Sequence, residues 1–147
     1  NDFDIRSTTN NSWTVRCTGG ARFISGINGI GGITSGVQLA VGGGSWTSLS
    51  DVNAKENFRD VNAQAVLERV AALPIREWNY KTQDADIRHI GPTAQDFHTA
   101  FNVGDSPLGI TGVDADGVAL AALQALYAEN QELKLRMQEL EKRMQKK

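Results

Sequence analysis

The sequence predicts an α+β chain in three parts: a glycine-rich β-stalk end over residues 1–45, a small mixed domain with a β-hairpin over 46–116, and a long coiled-coil helix over 117–147. Three observations carry this. Ten of the fifteen glycines lie in the first 50 residues, whereas neither glycine nor proline follows Gly117, so the two ends cannot share one kind of structure. Between Trp13 and Val41 the apolar residues come in short, glycine-broken runs of β type. After Leu123 they recur at spacings of three and four, the period of a helix seam.

In the first part, Trp13, Val15 and Cys17 alternate with Thr14, Arg16 and Thr18, the pattern of a strand, until Gly19-Gly20 interrupts it. Phe23, Ile24, Ile27, Ile30, Ile33, Val37, Leu39 and Val41 follow, punctuated by Gly or Asn. Strands this short cannot enclose a core of their own, so three chains sharing one core is an economical solution. The alternative is a small monomeric sheet packed on the next domain. Gly42-Gly43-Gly44-Ser45 reads as a flexible or tightly turning junction.

In the second part, Ser50 and Asp51 precede a stretch from Val52 to Leu73 with an apolar helical face, which Pro74 stops. Asp60-Val61-Asn62 is expected to divide it into two helices, with Asn62 capping the second. Ile75 to Lys81 alternates as a strand does, Thr82 to Asp86 is turn-like, and His89-Ile90-Gly91 is expected to return as the second strand of a hairpin. Pro92 is expected to open a short helix that runs through Phe101.

In the third part, Leu123, Leu126, Asn130, Leu133, Met137, Leu140 and Met144 form an a/d heptad seam with Leu at each d position to 140. Glu129 at g precedes Lys134 at the next e, and Arg136 precedes Glu141 in the same relation. Opposite charges at those positions favour parallel pairing in register, and Asn130 at a is a polar register lock. A helix lying on its own domain is the alternative. Met at a leaves the number of chains open.

Composition narrows the partners. A net charge of -2 lacks the clustered basic face that nucleic acid requires, so none is expected. A single cysteine, Cys17, permits neither an intrachain disulfide nor a multi-cysteine metal site, and it reads as a small buried apolar side chain. No apolar run approaches the ~18 residues of a membrane span. Neither a metal nor a cofactor is called for, and both ends read as cuts within a larger protein.

Ser50-Asp51-Val52-Asn53-Ala54-Lys55-Glu56-Asn57-Phe58 resembles the start of the endosialidase-type intramolecular chaperone domain, the peptidase S74 family. Trp78-Asn79-Tyr80, Ile90-Gly91-Pro92-Thr93-Ala94-Gln95-Asp96-Phe97 and Val113-Asp114-Ala115-Asp116-Gly117-Val118 resemble its later motifs in the expected order. The resemblance spans about residues 46 to 135. Domains of this kind close phage tail spikes and fibres and some bacterial surface proteins, and a related one occurs in a membrane-tethered eukaryotic transcription factor. The resemblance implies a homotrimer that assists folding of the upstream β-stalk of its own polypeptide and then cuts itself off. It also implies a place on a virion tail or a bacterial cell surface. A non-proteolytic trimerisation cap or receptor-binding fibre tip is the competing function, and a dimeric coiled-coil adaptor leaves the glycine-rich β segment unexplained.

Carried over from the family, Ser50 is the nucleophile and Lys55 the general base, with cleavage at the Ser50-Asp51 junction. A hydroxyl is a poor nucleophile at neutral pH and needs a base. A lysine can act as that base only when neutral, which burial or a neighbouring cation favours. Residues five apart on a regular helix are rotated by about 140°, so Ser50 must sit in a turn before the helix. Attack on its own carbonyl would close a four-membered ring, and attack on the carbonyl of Leu49 a five-membered one. Cleavage one bond earlier, or attack from another subunit, therefore stays open. Backbone N–H groups at the helix start are candidates to hold the oxyanion. A helix cap at Ser50 and a solvated Lys55 make up the plainer reading. His89 and Gln95 are further candidates for supporting roles, His89 reading more simply as a hydrogen-bonded structural residue. His98 reads as a surface helix residue.

Overall fold

The computed structural model describes residues 9–146. They form two compact units, one ending at Phe58 and the other beginning at Arg59.

The first unit is a three-stranded antiparallel sheet of β1 (Ala21–Ile27), β2 (Ile33–Leu39) and β3 (Trp46–Ser48), in that order. Asn28 closes the β1–β2 turn, its side-chain oxygen accepting from the N–H groups of Ile30 and Gly32. The register makes the sheet two-faced. Ala21, Leu39 and Trp46 stand in one row and Phe23 and Val37 in the next but one, while Arg22, Gln38 and Thr47 form the row between them. Successive residues of a strand point to opposite sides, so the first group shares an apolar face and the second a polar one. Phe23 and Trp46 meet at a ring separation of 5.4 Å, yet each stays more than half exposed.

One expectation changes here, and one of two alternatives is taken up. Trp13 to Cys17 is not a strand: alternation alone cannot hold one without a ladder partner, and no strand pairs with it among the described residues. Gly42-Gly43-Gly44-Ser45 is the tight turn that joins β2 to β3, with Gly42 at φ 70 and the Gly43 N–H donating to the Ala40 carbonyl. Those glycines therefore fold the sheet, and Trp46 to Ser48 belong to it.

The second unit contains α1 (Ala63–Ala72), the hairpin β4 (Arg76–Trp78) and β5 (His89–Gly91), α2 (Ala94–Phe101) and α3 (Gly112–Met144). Asn62 caps α1 as expected, accepting from the Ala65 N–H. The hairpin is antiparallel, as the alternation indicated, with Trp78 opposite His89. α2 opens at Ala94 and not at Pro92, because Thr93 is its cap: the Thr93 hydroxyl accepts from the Asp96 N–H and donates to the Asp96 carboxylate. Thr111 and Asp114 repeat that reciprocal arrangement at the start of α3. With this cap, α3 begins five residues before Gly117, and Gly117 lies within it.

Packing is concentrated where small residues admit close approach. Phe97 and Phe101 of α2 and Ala122 and Ala125 of α3 are the buried residues among those described. α1 lies against α3, where Gln64 donates to Glu129, and Arg69 donates to the Ala100 carbonyl near the end of α2. An Arg76–Asp96 ion pair at 3.0 Å ties β4 to α2. Along the rest of α3 the seam stands open: Leu123, Leu126, Leu133, Met137, Leu140 and Met144 are each at least half exposed. Of the charges expected to pair between chains, Glu129 is engaged by Gln64 and Arg136 by Glu132 of its own helix.

Candidate functional site

The chain reaches the candidate nucleophile from the sheet. β3 ends at Ser48, and the Leu49 N–H donates to the Gly36 carbonyl at 3.0 Å, so the residue before Ser50 is fastened to β2. Gly36 can serve there because it is glycine. Its φ is +149, and a Cβ would stand 2.3 Å from the Phe23 carbonyl oxygen.

From Ser50 the backbone enters a single 3-10 turn, Val52–Ala54, where a longer helix was expected. The physical reason lies on both sides of it. The Asp51 carboxylate oxygen accepts from the Asn53 N–H at 2.8 Å and from the Asn53 side-chain amide at 3.0 Å, tightening the first residues. Lys55 then returns to extended backbone at φ -123 and ψ 152, and Asn57 takes a left-handed φ of 56 that ends any helical continuation. Short polar side chains that bond to nearby backbone compete with the helix in this way.

This departure from a helix brings the two candidates together. The Lys55 Nζ lies 2.5 Å from the Ser50 Oγ. On a regular helix the two side chains would point apart; here the tight turn followed by an extended residue folds the lysine back over the serine. Both residues are exposed in the single chain. The expected oxyanion donors fare differently. The N–H groups of Asn53, Ala54 and Lys55 are spent on the Asp51 side chain, the Asp51 carbonyl and the Val52 carbonyl, so these three are not free to hold an oxyanion.

His89 and Gln95 belong to the second unit, whereas Ser50 and Lys55 belong to the first. His89 on β5 lies 4.7 Å from the Trp78 ring and 5.5 Å from Tyr80, and its Nε2 is 2.9 Å from the Gln83 side-chain oxygen. Gln95, in the first turn of α2, lines an open cleft of about 540 Å³ with Trp78, Tyr80, Leu108 and Ile110. The two residues that shape the turn, Asp51 and Asn53, did not stand out as a pair in the sequence. The signal was present in an Asp at a cap position with a side-chain amide two residues on.

A serine hydroxyl within hydrogen-bond reach of a lysine amine meets the distance that a serine–lysine nucleophilic pair requires. Residues 50–103 match the family model described as chaperone of endosialidase, peptidase S74, the family whose motifs the sequence resembles. The matched stretch opens on Ser50 and runs just past α2. Comparison with curated proteins gives no match, and neither does comparison with solved structures. No helix among the described residues is long and apolar enough to cross a membrane.

Proposed function

We propose that the chain is an intramolecular chaperone that trimerises, assists folding of the β-stalk ahead of it, and then releases itself by a single autoproteolytic cut. The observation that carries the proteolytic half is the 2.5 Å approach of the Lys55 amine to the Ser50 hydroxyl. In that contact the lysine N–H donates to the serine oxygen. Catalysis needs the reverse arrangement, with the hydroxyl donating to a neutral amine, and an amine in water at neutral pH holds its proton.

The assembled state would supply the change. Both side chains face water in one chain, as do the apolar face of the sheet and the α3 seam. Neighbouring chains that cover these surfaces would remove water from the pair, and desolvation favours the neutral amine. The Ser50 oxygen then attacks the scissile carbonyl while its proton passes to Lys55. The tetrahedral intermediate collapses as that proton moves to the departing nitrogen, and water hydrolyses the resulting ester. The Ser50-Asp51 bond is the proposed junction, attacked by the serine of another subunit because attack on its own carbonyl would close a strained four-membered ring; attack on the Leu49 carbonyl, one bond earlier, closes a five-membered ring within one chain. Cutting after assembly separates the stalk from its folding nucleus and leaves it kinetically trapped. The family match favours a phage tail or cell-surface setting for such a stalk.

Freshly expressed protein should run as two fragments on a denaturing gel, whereas Ser50→Ala and Lys55→Ala should each leave one band. Splitting of both variants at the parental rate would end the dyad assignment. A second reading, a trimerisation cap or fibre tip that never cuts, is favoured by one observation: the pair is open to solvent in the isolated chain. That reading predicts a single band from the parent even when it is fully trimeric.

A further inference from the structure

We infer that Asp51 is a positioning residue for the Ser50–Lys55 pair, acting through Asn53 to hold the turn that folds the lysine over the serine. The inference rests on the self-cleavage reading above. The turn contains three residues, too few for helical propensity to maintain it, and a single 3-10 turn is ordinarily a marginal structure. What tightens it is one carboxylate oxygen. It accepts two hydrogen bonds from Asn53, one from the backbone at 2.8 Å and one from the side-chain amide at 3.0 Å. The Ala54 N–H bonds to the Asp51 carbonyl at 3.1 Å and the Lys55 N–H to the Val52 carbonyl at 3.2 Å, so the same residue anchors the turn through its backbone as well.

The consequence for chemistry is geometric. Lys55 leaves the turn in extended conformation, and from there its side chain reaches Ser50. Were the turn to open, the chain between the two would lengthen toward full extension, about 3.3 Å for each residue. The amine would then lose its approach to the oxygen. Small misplacements of a catalytic group cost large factors in rate. The clasp consists of two hydrogen bonds accepted from an uncharged N–H and an uncharged amide, so an amide oxygen at position 51 can take the same place.

The test compares cleavage rates of the full chain in variants first shown by sedimentation to assemble as the parent does. Asp51→Ala removes the acceptor and should slow cleavage about tenfold, in line with the loss of a cap. Asp51→Asn keeps an acceptor oxygen and should remain within about threefold of the parent. Asn53→Ala, which leaves the residues at the scissile bond untouched, should slow cleavage about threefold by losing one of the two bonds. A parental rate in both alanine variants would overturn the inference. So would a rate in Asp51→Asn as low as in Asp51→Ala, or a pH midpoint of cleavage a full unit lower in Asp51→Asn, since the carboxylate would then be acting by its charge. If Asp51→Ala does not assemble, Asn53→Ala and Asp51→Asn still decide the matter. Ser50→Ala and Lys55→Ala run alongside: cutting in those two would show that the dyad itself is misassigned, whereas their silence beside an unaffected Asn53→Ala and Asp51→Ala would reject the positioning role alone.

Discussion

Ser50 and Lys55 meet because the chain between them is not a helix. One aspartate and two asparagines account for that: Asp51 accepts from Asn53, and Asn57 turns the backbone left-handed beyond the lysine. The pairing of Ser50 with Lys55 could be read from the family motif, but its geometry could not, because the apolar residues from Val52 to Leu73 read as the face of a helix beginning just after Ser50. Local side-chain bonds outcompeted that period over so short a stretch. Another single residue sets an acid limit for the second unit. The Asp96 carboxyl is held below its ordinary 3.8, chiefly by the Thr93 hydroxyl; lost hydration opposes this, and the Arg76 guanidinium adds to it. A carboxyl depressed in the folded state contributes its stability in full above its unfolded value, and that contribution fades as pH falls through the folded one. Unfolding followed by circular dichroism should therefore show the parent losing stability below about pH 4, and Asp96→Asn should flatten that part of the profile.

Among the elements, those with caps, long periods or a partner strand close by in the sequence were legible, and the lone alternating run near the start of the chain misled. Asn62 marked the start of α1, and the strand alternation marked the hairpin, whose register, with Trp78 opposite His89, comes from the structure. The length of α3 followed from its heptads, although its true start at the Thr111–Asp114 cap lay upstream of the glycine that seemed to mark it. Trp13 to Cys17 had the alternation of a strand and no ladder to join. The glycine run after Val41, flexible or tightly turning by its sequence, is a tight turn, because a third short strand follows it. Gly36 links the sheet to the candidate site, since its carbonyl accepts from the N–H of Leu49, the residue before Ser50. Gly36→Ala would press a Cβ against the Phe23 oxygen at 2.3 Å. A strained backbone of that kind costs about 1–3 kcal/mol, so the variant should unfold at lower denaturant and cut more slowly than the parent.

For the whole molecule, the exposed surfaces carry the argument for assembly. No described residue of the first unit is buried, and its sheet presents Phe23 and Trp46 on one face. The α3 seam leaves Leu126 and Leu133 at 50% and 57% exposure, which is unusual for leucines at heptad d positions unless other chains cover them. Burying each such leucine contributes about 1.5–3 kcal/mol. Replacing Leu126 and Leu133 together by serine should therefore abolish the proposed trimer in sedimentation, and because cleavage is proposed to wait for assembly, the same variant should remain uncut. A monomeric variant that cuts at the parental rate would separate proteolysis from assembly.

The central claim is that the Lys55 amine takes the proton of the Ser50 hydroxyl. Arginine keeps the length and charge of lysine but does not give up its proton in a protein. Intact-mass spectrometry of assembled Lys55→Arg beside the parent tests the claim most directly. The account predicts two masses meeting at the Ser50 junction from the parent and one uncut chain from the variant. Two fragments from Lys55→Arg, cut at the same bond, would contradict it.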